Sequence, residues 1–289
     1  MIAPFFSADQ LAAALDATLP TYEGRPLVVV DSRWYLDGRS GEAAYRQGHV
    51  PGAVWIDLER WLAGHGEARR GRHPLPSAET FAEGMGRHGI SADTVVVVYD
   101  DQAGLVAGRL VWMLRRLGHD AALLDGGLAA WPGPLAEGDG EAVPPCSFPI
   151  KAWPSQYFVD TADVIDRAAS TRLIDARAAE RYRGETEPID PQAGHIPGAR
   201  SLPLTGNLGP TGRFLSVAEL TARFAPLLTA TEATPNTEAE IISYCGSGVS
   251  ACHNLLALEA CGWLGRLYVG SWSAWSSTPG LPVATGAPD

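Results

Sequence analysis

The sequence predicts an α/β protein of two tandem domains, each a parallel sheet flanked by helices on both faces. Three observations predict it. The first is an internal repeat kept in order along the chain. Leu27-Val28-Val29-Val30-Asp31-Ser32-Arg33 returns as Leu173-Ile174-Asp175-Ala176-Arg177, and Gly48-His49-Val50-Pro51-Gly52-Ala53 returns as Gly194-His195-Ile196-Pro197-Gly198-Ala199. Val97-Val98-Tyr99-Asp100 returns as Ile242-Ser243-Tyr244-Cys245, and Gly126-Gly127-Leu128-Ala129-Ala130-Trp131 as Gly270-Ser271-Trp272-Ser273-Ala274-Trp275. The second is the alternation, in each half, of short β-branched runs with helical patterns, which argues for a covered parallel sheet. The third is Val95-Val96-Val97-Val98, an unbroken apolar run of the kind a central strand buried on both faces needs. The expected division is residues 1–131, a Pro-rich linker over 132–157, and residues 158–289.

In order, Ser7 to Leu19 reads as a helix opened by a Ser7/Gln10 capping box. Leu27 to Asp31 reads as a strand, Gly41 to Gln47 as a short helix and Val54 to Ile56 as a strand. Ser77 to His88 is helical, Thr94 to Tyr99 a buried strand, Leu105 to Leu117 a helix, Ala121 to Leu124 a strand and Leu128 to Trp131 a helical turn. Pro132, Pro134, Pro144, Pro145, Pro149 and Pro154 make the linker semi-rigid and extended. In the second half, Thr161 to Ala169 and Ser216 to Leu228 read as helices, the latter with a Ser216/Glu219 capping box. Arg172 to Asp175 reads as a strand, Thr231 to Glu240 as a polar loop, and the segment after Trp275 as loop.

Composition sets limits. A 46% hydrophobic chain of 289 residues can bury real cores. A net charge of −11 argues against nucleic acid as a partner but leaves a small anion open, given local arginines. The N-terminus has no basic n-region, no apolar run is long enough for a membrane span, and four cysteines show no framework spacing. These point to a cytoplasmic protein.

The chemistry centres on Tyr244-Cys245-Gly246-Ser247-Gly248-Val249-Ser250-Ala251, between a strand and a helical run from Val249 to Cys261. Glycines at 246 and 248 let the backbone curl around the sulfur, and a nest of amides stabilises a thiolate or an anion bound beside it. Cys146, Cys252 and Cys261 read as small buried hydrophobes. A cysteine phosphatase needs arginine six residues after the cysteine, where Ala251 stands. A thioredoxin-like site needs a second cysteine at Gly248, and no spaced Cys/His pairs suggest a metal. A nucleophilic thiolate that carries a group covalently is what remains. Asp100 occupies the equivalent position in the first half. A carboxylate cannot carry that group, so the first half is catalytically inactive. Its loop, with Gly104 alone after Asp100, is not expected to wrap an anion in amides.

The loop Cys-Gly-Ser-Gly-Val-Ser-Ala resembles the active loop of the tandem rhodanese-type sulfurtransferases, most closely their mercaptopyruvate branch. That resemblance extends over nearly the whole chain. It implies transfer of a sulfane sulfur from 3-mercaptopyruvate to a thiol or cyanide through a Cys245 persulfide, without metal or organic cofactor. Thiosulfate as donor, and a non-catalytic module that binds a partner or senses redox state, are the alternatives. The resemblance makes Cys245, Ser247, His73 and Glu59 the catalytic set, with His73, Glu59 and Ser247 as a proton relay. Arg181, Gly246, Gly248, Val249 and Ser250 would bind the substrate. The partners implied are a small anionic sulfur donor and a thiol or thioredoxin-type acceptor. Two departures stand out: Glu59 replaces an aspartate, and Thr186-Glu187-Pro188-Ile189-Asp190 lacks a further substrate-binding arginine, with Asp190 near its place. His49, His195, Asp31, Asp175, Trp131, Trp272 and Trp275 read as structural residues, with Trp272 a possible wall of the site.

Overall fold

A computed structural model describes residues 1–16, 19–228 and 238–287. The chain forms two compact units. The first holds Met1–Gly64, Pro76–Trp153 and Thr211–Arg213; the second holds His65–Leu75, Pro154–Pro210 and Phe214–Asp289.

In the first unit the order is β1 (Phe5–Phe6), α1 (Ala8–Leu15), β2 (Thr21–Tyr22), β3 (Arg25–Asp31), α2 (Gly41–Gln47), β4 (Val54–Trp55), α3 (Ala78–Arg87), β5 (Val95–Tyr99), α4 (Ala107–Arg116) and β6 (Ala121–Leu124). The strands lie β1-β6-β5-β3-β2, with β4 also on β3. All pair in parallel except β2, an antiparallel edge on β3. Strand side chains alternate between faces. Leu27, Val29, Val95, Val97 and Tyr99 form one core with Leu11 and Ala14 of α1, while α4 packs on β5 and β6. Ser7 caps α1 through the reciprocal bonds with Gln10, a contribution of about 1 kcal/mol. The helix ends at Asp16 rather than Leu19, and residues 17 and 18 lie outside the described ones.

The second unit repeats this plan with β7 (Phe158–Val159), α5 (Thr161–Ile165), β8 (Arg172–Asp175), α6 (Ala179–Tyr182), β9 (Ala199–Ser201), α7 (Val217–Leu228), β10 (Glu238–Tyr244), α8 (Ala251–Ala260), β11 (Leu264–Tyr268) and α9 (Ser271–Ser276). Its five strands lie β7-β11-β10-β8-β9 and all pair in parallel. The repeat extends to the register. Asp31 stands beside Tyr99 as Asp175 stands beside Tyr244, so Asp100 and Cys245 leave equivalent strand ends. Of the polar loop expected at Thr231 to Glu240, residues 231–237 lie outside the described ones, and Glu238 already begins β10.

The Pro-rich segment does not behave as a free spacer over 132–157. It is docked on the first unit as far as Trp153. His49 and Ala136 exchange both backbone bonds, Cys146 N–H donates to Gly86 O at 2.8 Å, Phe148 is buried against Phe81, and Trp153 Nε1 donates to Pro76 O. Proline removes donors but leaves carbonyls and neighbouring amides able to pair, and this segment uses them.

Candidate active site

The repeated motifs build the frame. Arg33 and Arg177 each fold back on an aspartate two residues earlier, Asp31 and Asp175, and each donates onward to a glycine carbonyl, Gly48 O and Gly194 O. His49 and His195 each turn Nδ1 to a tyrosine carbonyl and stack on that ring, Tyr45 at 3.9 Å and Tyr182 at 3.7 Å between centroids. Trp272 is fully buried, with its Nε1 on Gln192 O and the Arg177 guanidinium over its ring, so it lines no opening. These side chains fix the strand ends.

On that frame Cys245 follows β10 and is 1% exposed. Its N–H donates to Ser271 Oγ at 3.1 Å, and its carbonyl accepts from Trp272 N–H at 3.0 Å. Gly248 turns back with φ +76°, and its N–H donates to Cys245 Sγ at 3.2 Å. A β-carbon on Gly248 would also stand 2.5 Å from Val269 O, so glycine is required there twice over. Val249 is buried and Ser250 half-buried at the entry to α8, where their carbonyls accept from Cys252 and His253 N–H.

Residues far away in sequence come to this loop within the second unit. His73 is 3% exposed, and its Nδ1 lies 2.8 Å from Ser247 Oγ. Arg72, next to it, was not singled out by the sequence reading. A β-carbon built on Gly246 would stand 3.0 Å from Arg72 Nη2, 3.6 Å from Arg181 Nη1 and 3.8 Å from Arg181 Nη2. Two guanidinia therefore face the residue after the thiol. Behind them, Arg181 Nη2 donates to Glu187 Oε1 at 2.7 Å and to Asp190 Oδ2 at 3.3 Å, while Arg72 Nη1 pairs with Asp190 Oδ1. Arg177 reaches Glu187 at 3.2 Å. Arg72 Nε is buried with no hydrogen-bond partner. Burial pushes the Asp190 carboxyl up beyond what the arginines offset. Burial also acts on Glu187, but Arg181 and the Ile189 and Asp190 amides outweigh it and hold that carboxyl below its ordinary value.

Glu59 belongs to the first unit, exposed on the single turn Leu58–Leu62. It is not among the residues the second unit gathers at Cys245. Cys252 is buried as expected, but Cys146 is exposed and Cys261 half-exposed. The loop after Asp100 is the clearest reversal. The Asp100 carboxylate accepts from Gln102 and Gly104 N–H on Oδ1 and from Val106 and Ala107 N–H on Oδ2, at 2.7–2.9 Å. One glycine suffices because Ala103 also takes a positive φ, +54°. The first unit's cradle is wrapped in amides, and its own side chain fills it. Among the described residues no group of three or more His, Cys, Asp or Glu could hold a metal ion, and no helix is long and apolar enough to cross a membrane.

The rhodanese-like domain model matches residues 7–133 and again 160–278. The chain is 43% identical over 298 positions to a Pseudomonas aeruginosa protein named as a probable 3-mercaptopyruvate sulfurtransferase, covering 98% of this chain and 99% of that one. It is 38% identical to a Mycobacterium tuberculosis protein provisionally named thiosulfate sulfurtransferase SseB, covering 97% and 96%. Among solved structures, SseA from Escherichia coli, described as a 3-mercaptopyruvate sulfotransferase, superposes with a TM-score of 0.74 at 32% identity, over 94% of this chain and 99% of that one.

Proposed function

The chain belongs to the rhodanese-like family and is a sulfurtransferase, and from that premise we propose that Cys245 carries the sulfur as a persulfide, with 3-mercaptopyruvate as donor. One observation supports this reading above the others. The thiol that receives an amide from its own loop is also the one beside which two guanidinia and a His–Ser pair converge.

The donor's carboxylate binds Arg181 and Arg72, and the Cys245 thiolate attacks the donor's sulfur. The sulfur–carbon bond breaks, and its electron pair leaves on pyruvate as the enolate. The proton of the donor's thiol passes through Ser247 and His73 to the enolate carbon, giving pyruvate and the anionic Cys245 persulfide. The Gly248 amide stabilises charge on the cysteine sulfur throughout. A small thiol or a thioredoxin-type protein then takes the outer sulfur and restores the thiolate.

Thiosulfate is the second reading. The SseB relative favours it. With it the same thiolate attacks the sulfane sulfur, and the sulfur–sulfur pair leaves as sulfite.

Intact mass tests the carrier. After incubation with donor, the protein gains about 32 Da, reversed by a thiol, as a covalent carrier must. Cys245→Ser gains nothing and stays folded, whereas Cys252→Ser still loads. Donor-dependent loading of Cys245→Ser would move the nucleophile elsewhere.

A further inference from the structure

Asp190 takes no part in the steps above, yet it touches both arginines that meet the donor. Its carboxylate side chain is 3% exposed, against 17% for Arg181 and 29% for Arg72. A donor at Gly246 therefore meets guanidinium edges and not the carboxylate behind them. We propose that Asp190 is a specificity-determining residue that sets the charge of donor the site accepts, holding it to single anions. The inference rests on the reading that the donor binds beside Cys245.

The charges of one ion cluster set this limit. Arg72, Arg177 and Arg181 face Asp175, Glu187 and Asp190 through contacts that link all six. Three cations against three carboxylates leave no net charge. A carboxylate such as that of mercaptopyruvate still gains from charge-assisted hydrogen bonds to the two guanidinium edges. The second charge of thiosulfate has no cation left to balance it. Asp190 is also the only carboxylate partner of Arg72 among the described residues, so removing its charge releases that arginine's field outward.

The test uses the full chain and both donors at equal ionic strength. Asp190→Asn keeps an oxygen for Arg72 and makes the cluster net positive. The ratio of kcat/KM for thiosulfate to that for mercaptopyruvate should then rise about tenfold, a moderate effect for one charge a few ångströms away in a partly exposed site. The rise should sit in KM and shrink with added salt, which a merely structural role would not produce. Arg72→Gln makes the cluster net negative and should move the ratio the other way. If Asp190→Asn does not fold, Asp190→Ser, which also removes the charge, carries the same test. A ratio unchanged within about twofold, or moved in the same direction by both variants, overturns the inference. Failure of the underlying site reading looks different: the wild-type protein would not gain sulfur on Cys245 from either donor.

Discussion

Ser247 and His73 lie where one donor needs a proton and the other does not. The enolate leaving from mercaptopyruvate becomes pyruvate only on protonation at carbon, whereas sulfite leaves as a stable anion. With mercaptopyruvate as the proposed donor, the 2.8 Å contact between Ser247 Oγ and the buried His73 Nδ1 would be a route for that proton. Ser247→Ala should lower kcat for mercaptopyruvate about a hundredfold, the lower end of what positioned proton transfer contributes. Thiosulfate turnover should fall by less than about tenfold, since only packing changes for it. Steady-state kinetics with both donors decide the matter. An equal fall for both would assign Ser247 to the shape of the loop and not to proton transfer.

The two strand-loop-helix cradles show what an element can and cannot reveal in sequence. β5 and β10 end in the same register, and each is followed by a loop whose amides turn inward. In the first unit they close on Asp100, which is fully buried; burial raises its carboxyl's pKa against the pull of four amides. Asp100→Asn would put a donor where Oδ1 or Oδ2 now accepts two N–H groups. At about 1–3 kcal/mol for each buried group left unpaired, the variant should lose about 3 kcal/mol or more, read from urea denaturation. A loss below about 1 kcal/mol would mean that the nest closes without its anion. Elements of four residues or more with a clear apolar pattern were legible: α2, β6 and β8 match their expected spans, and the capping serines Ser7 and Ser216 lie where the boxes place them. Of the two-residue strands, β4 was expected from Val54 to Ile56, whereas β1, β2 and β7 were not, since two residues carry no period of their own. Counting glycines missed the Asp100 nest, since Ala103 supplies the left-handed turn. The place of Arg181 beside the residue after Cys245 agrees with what the resemblance implied. Arg72 was not legible, because what brings it to Asp190 is a contact across 118 residues that no local pattern encodes.

At the scale of the molecule, the second unit's machinery is not contained in the second half of the sequence. His65–Leu75 belongs to that unit and brings both Arg72 and His73 to it. What seats the stretch is Gly71, backed by a bond from Arg72 N–H to Ser273 Oγ at 3.1 Å. Gly71 has φ +87°, and a β-carbon on it would stand 2.5 Å from Gly270 O and 3.0 Å from Gly270 Cα. Backbone cannot yield as a side chain does, so Gly71→Ala must push the stretch off Gly270. Gly52 supplies the control: its φ is +77°, but a β-carbon there would meet nothing within 4 Å. Gly52→Ala should cost about 1–2 kcal/mol of conformational strain and leave turnover alone. Gly71→Ala pays the same strain and also displaces Arg72 and His73. It should raise KM for either donor and lower kcat for mercaptopyruvate, each by about tenfold or more if charge-assisted bonds of about 1.5–3 kcal/mol are lost. Kinetics and thermal unfolding of both variants, measured together, separate strain from displacement. If Gly71→Ala matched Gly52→Ala in both, the stretch would not be what delivers Arg72 and His73 to the thiol.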